Sequence, residues 1–254
     1  MSNKHSWFKY CIDTTAFDKI QKLDKFLLAL KKQSNNIDAL IPYREDLRMS
    51  HTDEDNKSIK APRYFGAGVE ALSEVFFETF GLSDYNLGSY ISMDTIDEDL
   101  EDTGYDATAN TSQEKSYGKR IRKISKSGSP VYLQVKGSLN PTKEHTTNDG
   151  SRVMNFFGNA QGHARMSGQG CFARYILFTT AKGLHYKLEA NTFGDIEVIN
   201  YKKISKKING NPFFWNEFRK KLGIMPLLIN GPKDPEWETM QNKLKEEDDL
   251  LAKL

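Results

Sequence analysis

The run PVYLQVKG, residues 130–137, constrains the fold more than any other part of the chain. Val131, Leu133 and Val135 alternate with Tyr132, Gln134 and Lys136, the period-2 pattern of a strand with one buried face. Side chains two apart share a face, so Gln134 and Lys136 stand together at the strand's end, just before Gly137. The valines, Tyr132 and Leu133 account for a strand. They do not account for an amide and an amine at its end. Further strand-like runs recur between about residues 88 and 200: YISM, YDATA, RYILFTTA, LHYKLEA and DIEVINY. Strands mixed with helical runs predict an α/β or α+β class, with a mixed central β-sheet flanked by helices.

The flanks read as helical. TAFDKIQKLDKFLLALKK opens on a cap signal, Thr15 with Asp18 three residues on, and sets Phe17, Ile20, Leu23, Leu27 and Leu30 on one helical face. Residues 44–62 are polar and end in proline, which predicts a loop or linker. In YFGAGVEALSEVFFETFG, Phe65, Val69, Leu72, Phe76 and Phe80 recur at helical spacing, with Gly81 as the stop. NPFFWNEFRKKLG predicts a short helix, and the charged stretch from Asp234 onward an amphipathic one. This divides the chain into an N-terminal helical segment and linker (1–60), a core (61–225) and a C-terminal helix (226–254).

Composition narrows the partners. The 254 residues carry a formal net charge of only +2, so a nucleic acid must be met by a local basic patch. Cys11 and Cys171 are far apart and lack CxxC spacing, which excludes a zinc ribbon and argues for a reducing compartment. No apolar run is long enough for a membrane span, and the N-terminus lacks a signal-peptide core; the expected address is cytoplasmic.

Upstream of Gln134 and Lys136, DTGYDAT places Asp106 in a short strand-like run after Gly104. Asp106 followed some thirty residues later by QxK, with Glu70 on the preceding helix, resembles the PD-(D/E)XK nuclease superfamily, more narrowly its Mrr-type branch. The order also fits: a helix, hairpin strands, the QxK strand, a helix, then RYILFTTA. The resemblance covers roughly residues 64–190 and implies a restriction-endonuclease-like core and a magnesium-dependent DNA endonuclease, with manganese as a substitute. Asp106, Gln134 and Glu70 would be the metal's oxygen ligands, and Lys136 would orient the attacking water or steady the phosphate charge. DNA is the implied partner, with a helicase or other DNA-processing protein and a homodimer left open.

Each motif has a bland alternative. QxK on a strand is usually a solvated face, and Asp beside Gly is ordinary turn chemistry. Glu74, one turn from Glu70, competes for its role, and Asp102 competes with Asp106. Lys119, Arg120 and Arg122 fit a phosphate-contacting loop or a solvated tip. Gln161 and Arg165 share a helical face in NFFGNAQGHARMSGQG, which otherwise reads as a glycine-rich loop over the substrate; His163 beside them is a weaker acid–base candidate. Phe213, Phe214 and Trp215 fit base stacking, or more simply a helix face docked on the sheet. A catalytically inert DNA-binding or assembly protein on the same fold is the rival reading, and a purely structural protein the second rival.

Overall fold

In the computed structural model, residues 17, 19–34, 53–88, 90–92, 105–117, 123–146, 151–192 and 195–222 are described. The QxK strand, β5 (Pro130–Lys136), is buried along its five central residues on both faces, not on one. The reason is its neighbour β7 (Arg174–Thr179), an entirely buried run that pairs with it in parallel, Val131 opposite Arg174 through Lys136 opposite Thr179. Parallel pairs need crossovers, and crossovers put helices on both faces.

Three further strands complete the sheet: β1 (Ile91–Ser92), β2 (Ala107–Asn110) and β9 (Ile196–Ile199). The order is β1-β2-β5-β7-β9, with β1 and β2 antiparallel and β9 parallel to β7. Two small pairs lie outside it: β3 (Lys115–Tyr117) with β4 (Lys123–Ser125), and β6 (Glu144–His145) with β8 (Gly183–Leu184).

Side-chain alternation sorts the core into two layers. Val131, Leu133, Val135, Ile176 and Phe178 face α1 (Leu23–Ser34), α2 (Asp53–Tyr85), α5 (Tyr201–Ile208) and α6 (Pro212–Lys221). Tyr132, Tyr175 and Leu177 face α3 (Ser151–Met166) and Leu188 of α4 (Tyr186–Asn191). The mixed sheet flanked by helices is as expected from the pattern, and among the described residues no helix is long and apolar enough to cross a membrane.

Several boundaries differ from the sequence reading. α1 starts at Leu23, not near Thr15, because a distant side chain caps it: Leu23 N–H donates to Asn209 Oδ1 at 2.8 Å. Thr15 lies outside the described residues. The expected linker is helical from Asp53 onward. Polarity alone does not end a helix, and the apolar stripe from Phe65 onward anchors the turns that precede it. The boundary drawn at residue 60 therefore falls inside α2, and α1 shares the core of residues beyond it. α2 also runs past Gly81 and turns at Asn86, whose φ of 56° is left-handed, before Leu87 N–H closes onto Gly81 O at 2.9 Å. LHYKLEA is strand only at Leu184, the end of β8: His185 caps α4, which buries Leu188 alone. NFFGNAQGHARM is helix α3, so the loop alternative falls. The C-terminal helix expected over 226–254 lies outside the described residues.

Candidate functional site

Backbone groups on β5 point alternately to β2 and to β7. Leu133 O accepts Asp106 N–H at 2.9 Å on the β2 side, while Lys136 O accepts Thr180 N–H at 3.3 Å and the Thr179 hydroxyl at 2.8 Å on the β7 side. Val135 N–H therefore faces β2, whose paired residues begin only at Ala107. The Asp106 carboxylate takes over there: its Oδ2 accepts Val135 N–H at 2.6 Å and also the amide N–H of Gln134. Ala107 stands opposite Leu133, so one step further Asp106 stands opposite Gln134. The amide is only 4% exposed and needs such a partner. Lys136, half-buried, shares the face of Gln134.

Gly137 explains how the α2 carboxylates come near. A Cβ on Gly137 would meet Phe65 Cε1 at 2.6 Å and Val69 Cγ2 at 3.1 Å. Its missing side chain lets α2 cross directly over the end of β5, and Glu70 follows Val69. α2 packs on the layer of Val131, Leu133 and Val135, opposite the face that carries Gln134. Glu70 and Gln134 thus approach the end of β5 from opposite faces of the sheet.

Near Glu70 and Asp106 sits Tyr90, partly buried and stacked on Phe77 with ring centroids 5.5 Å apart. Ser73 Oγ–H donates to Glu70 O at 2.7 Å, so in the 3.5 Å contact of the two hydroxyls Tyr90 is the donor. Burial lifts the Tyr90 phenol well above its ordinary range; the carboxylates of Glu74, Asp106 and Glu70 push the same way, against the Ser73 contact. The three carboxylates therefore share one neighbourhood. They do not converge further: among the described residues no three acidic, histidine or cysteine side chains form a group able to hold a metal ion. Glu74 is held by Lys221 of α6 at 2.5 Å, and the same amine reaches the exposed Glu78 at 2.7 Å.

α3 offers a different residue from the pair read in the sequence. His163 packs edge-on against Tyr105, centroids 5.6 Å apart, and Tyr105 is the neighbour of Asp106. Gln161 and Arg165 lie two residues to either side, about 200° around the helix, and so project from the other flank. The Arg165 stem lies instead over Gly170, where an added Cβ would meet its Cγ at 3.0 Å. Phe214 and Trp215 are buried in the core, Trp215 donating its indole N–H to Ile208 O at 2.6 Å, so they dock α6 and do not present faces to bases; Phe213 is exposed. Asp102, Lys119, Arg120 and Arg122 lie outside the described residues.

Two groups had no readable signal. Tyr90 precedes a two-residue strand, and His145 lies in a polar stretch. His145 Nε2 meets Thr179 Oγ1 at 2.9 Å; because that hydroxyl gives its proton to Lys136 O, the imidazole is the donor. No protein family, no curated protein and no solved structure matches the chain.

Proposed function

We propose that the protein is a metal-dependent DNA endonuclease built on a restriction-endonuclease-like core. The observation that carries this reading is the meeting of Asp106 and Gln134 across β2 and β5, with Lys136 two residues on and on the same face. The succession α2, β1–β2, β5, α3, β7 supports it, being the order of elements that the resemblance implies.

The donor set suits a hard cation. Gln134 gives its N–H to Asp106, which leaves an amide oxygen beside a carboxylate, and magnesium or manganese prefers oxygen ligands. Asp106 and Gln134 would hold it, and Glu70 would have to reach past the end of β5 from the opposite face to join them. When bound, the ion would lower the pKa of a water and polarise the phosphate. The chain's own part is to place charge: Lys136 would stabilise the phosphate as negative charge builds up. A cytoplasmic setting and DNA as partner belong to the same reading.

A second reading is favoured by the other bond of Asp106. Its Oδ2 closes the β5 ladder by accepting Val135 N–H, which is structural work, and among the described residues the acidic side chains stop short of a metal cluster. Both features fit an inert DNA-binding protein on the same fold.

Incubating plasmid and linear DNA with the protein in magnesium, against a chelator control, separates the two. The catalytic reading expects cleavage that Lys136→Ala lowers by about a hundredfold or more, through loss of transition-state charge stabilisation, with little change in DNA affinity. Equal cleavage by wild type and Lys136→Ala would show that the chemistry lies elsewhere.

A further inference from the structure

α5, YKKISKKI, is lysine-rich in a way its own stability does not explain. Asn200 caps it, and Lys202 and Lys203 occupy the first turn, which holds no acidic residue. Cations there oppose the helix dipole, which favours carboxylates at this end. Lys203 and Lys207 have local uses: Lys203 Nζ donates to Val198 O at 2.6 Å, and Lys207 pairs with Asp84 at 2.8 Å. Lys202 and Lys206 are exposed and stand four apart on one face, turned away from the buried Ile204 and Ile208.

The lead into α1 lies beside α5. Gly210 N–H donates to Gln21 O at 2.8 Å, and Leu23 N–H to Asn209 Oδ1 at 2.8 Å, fastening the start of α1 to the end of α5. Lys22 and Lys25 are exposed there, while the carboxylate among them, Asp24, takes the Tyr201 hydroxyl. A run of bonds connects the region to the candidate site along the carboxyl edge of the parallel strands. Thr180 N–H reaches Lys136 O, Tyr201 N–H reaches Ala181 O at 3.0 Å, and Asn200 Nδ2 reaches Lys182 O at 2.7 Å. In sheets of this kind ligands gather at that edge.

We propose that Lys202 and Lys206 of α5, with Lys22 and Lys25 at the start of α1, form a docking surface for the phosphate backbone of duplex DNA. The proposal rests on DNA being the partner. Lys202 and Lys206 are separated by a rise of about 6 Å, a step that flexible lysine stems can match to phosphates along one strand. A membrane surface fits less well: α5 has no exposed large apolar residue to insert, since Ile204 and Ile208 are fully buried. A protein partner fits less well too, because α5 presents no exposed aromatic or aliphatic anchor.

The test measures binding of a short labelled duplex in chelator, over a range of salt. Lys202→Gln with Lys206→Gln should weaken binding by about tenfold and lower the salt slope by about two. Lys31→Gln with Lys32→Gln, at the far end of α1, is the charge-matched control and should change affinity less than about twofold. An unchanged slope in the first variant, an equal loss in the control, or binding of wild type to anionic vesicles but not to the duplex would overturn the proposal. Cleavage in magnesium is scored separately. A wild type that binds through this face yet never cleaves would sink the catalytic reading and leave the surface standing.

Discussion

The two sides of β5 are built differently. Towards β7 the ladder is long and packed: six residue pairs in register, every β7 residue buried, Phe178 wedged against Phe76 with centroids 5.2 Å apart, and the Thr179 and Thr180 hydroxyls bonding the backbone at its end. Towards β2 the register covers four pairs and then stops, and a carboxylate replaces the missing backbone acceptor. One side is closed by repetition, apolar packing and neutral threonine hydroxyls, the other by a shorter ladder and one carboxylate. The lesson is that the candidate site occupies the place where the ladder runs out, since only there can a carboxylate reach the strand.

The largest effect should come from the apolar side. Phe178→Ala removes a fully buried ring that touches both Phe76 and Phe77, and should cost about 3–5 kcal/mol. Urea unfolding measures it. A loss under about 1 kcal/mol would mean that the β7 side is not the rigid half of the comparison.

Asp106→Ala should cost less but more than a surface change, about 1–3 kcal/mol, because Val135 N–H and the Gln134 amide lose their acceptor. An aspartate that only held a metal would contribute little to the stability of the metal-free fold; these two bonds give Asp106 a second role. Asp106→Asn, which keeps an acceptor oxygen, should recover most of the stability while still abolishing magnesium-dependent cleavage. If Asn is as unstable as Ala, the hydrogen bonds assigned to Oδ2 are not what holds the strand end.

Gly137→Val tests the crossing of α2. The added branches must displace Phe65 and Val69, so the variant should lose about 1–3 kcal/mol and shift Glu70 away from β5. A neutral outcome, read by thermal unfolding, would mean that α2 yields easily and that Glu70 is not held near Asp106.

Much of this arrangement could be read from residues alone. The period-2 run of β5 and the apolar run of β7 mark themselves, and Asp106 pairs with Gln134 as the motif's order suggests. What escaped depends on distant partners. α1 begins where Asn209 can cap it, 186 positions away in the chain. Gln161 and Arg165 share a helical face as their spacing requires, but spacing does not say which flank of α3 meets Tyr105 and Asp106; His163 is on that flank. Tyr90 has no motif, because its importance comes from three carboxylates brought near it by two other elements.

The smallest effect distinguishes tyrosines on the two sides. Burial, with help from Tyr132 and Asp195 and against Arg165, pushes the Tyr175 phenol up to about 12 from an ordinary 10.0. A raised folded pKa means that the folded state keeps a proton which the unfolded chain releases first. The stability tied to it is complete below pH 10 and is lost as pH rises from 10 towards 12. Tyr175→Phe should therefore flatten the fall of the urea midpoint across that window and leave its pH dependence near neutrality unchanged. Tyr90, held still higher beside the carboxylates, should contribute to the same fall, so Tyr90→Phe should flatten it as well. Flattening by Tyr175→Phe alone would place the Tyr90 hydroxyl in contact with water, and the acidic neighbourhood on the β2 side would then be open at its centre.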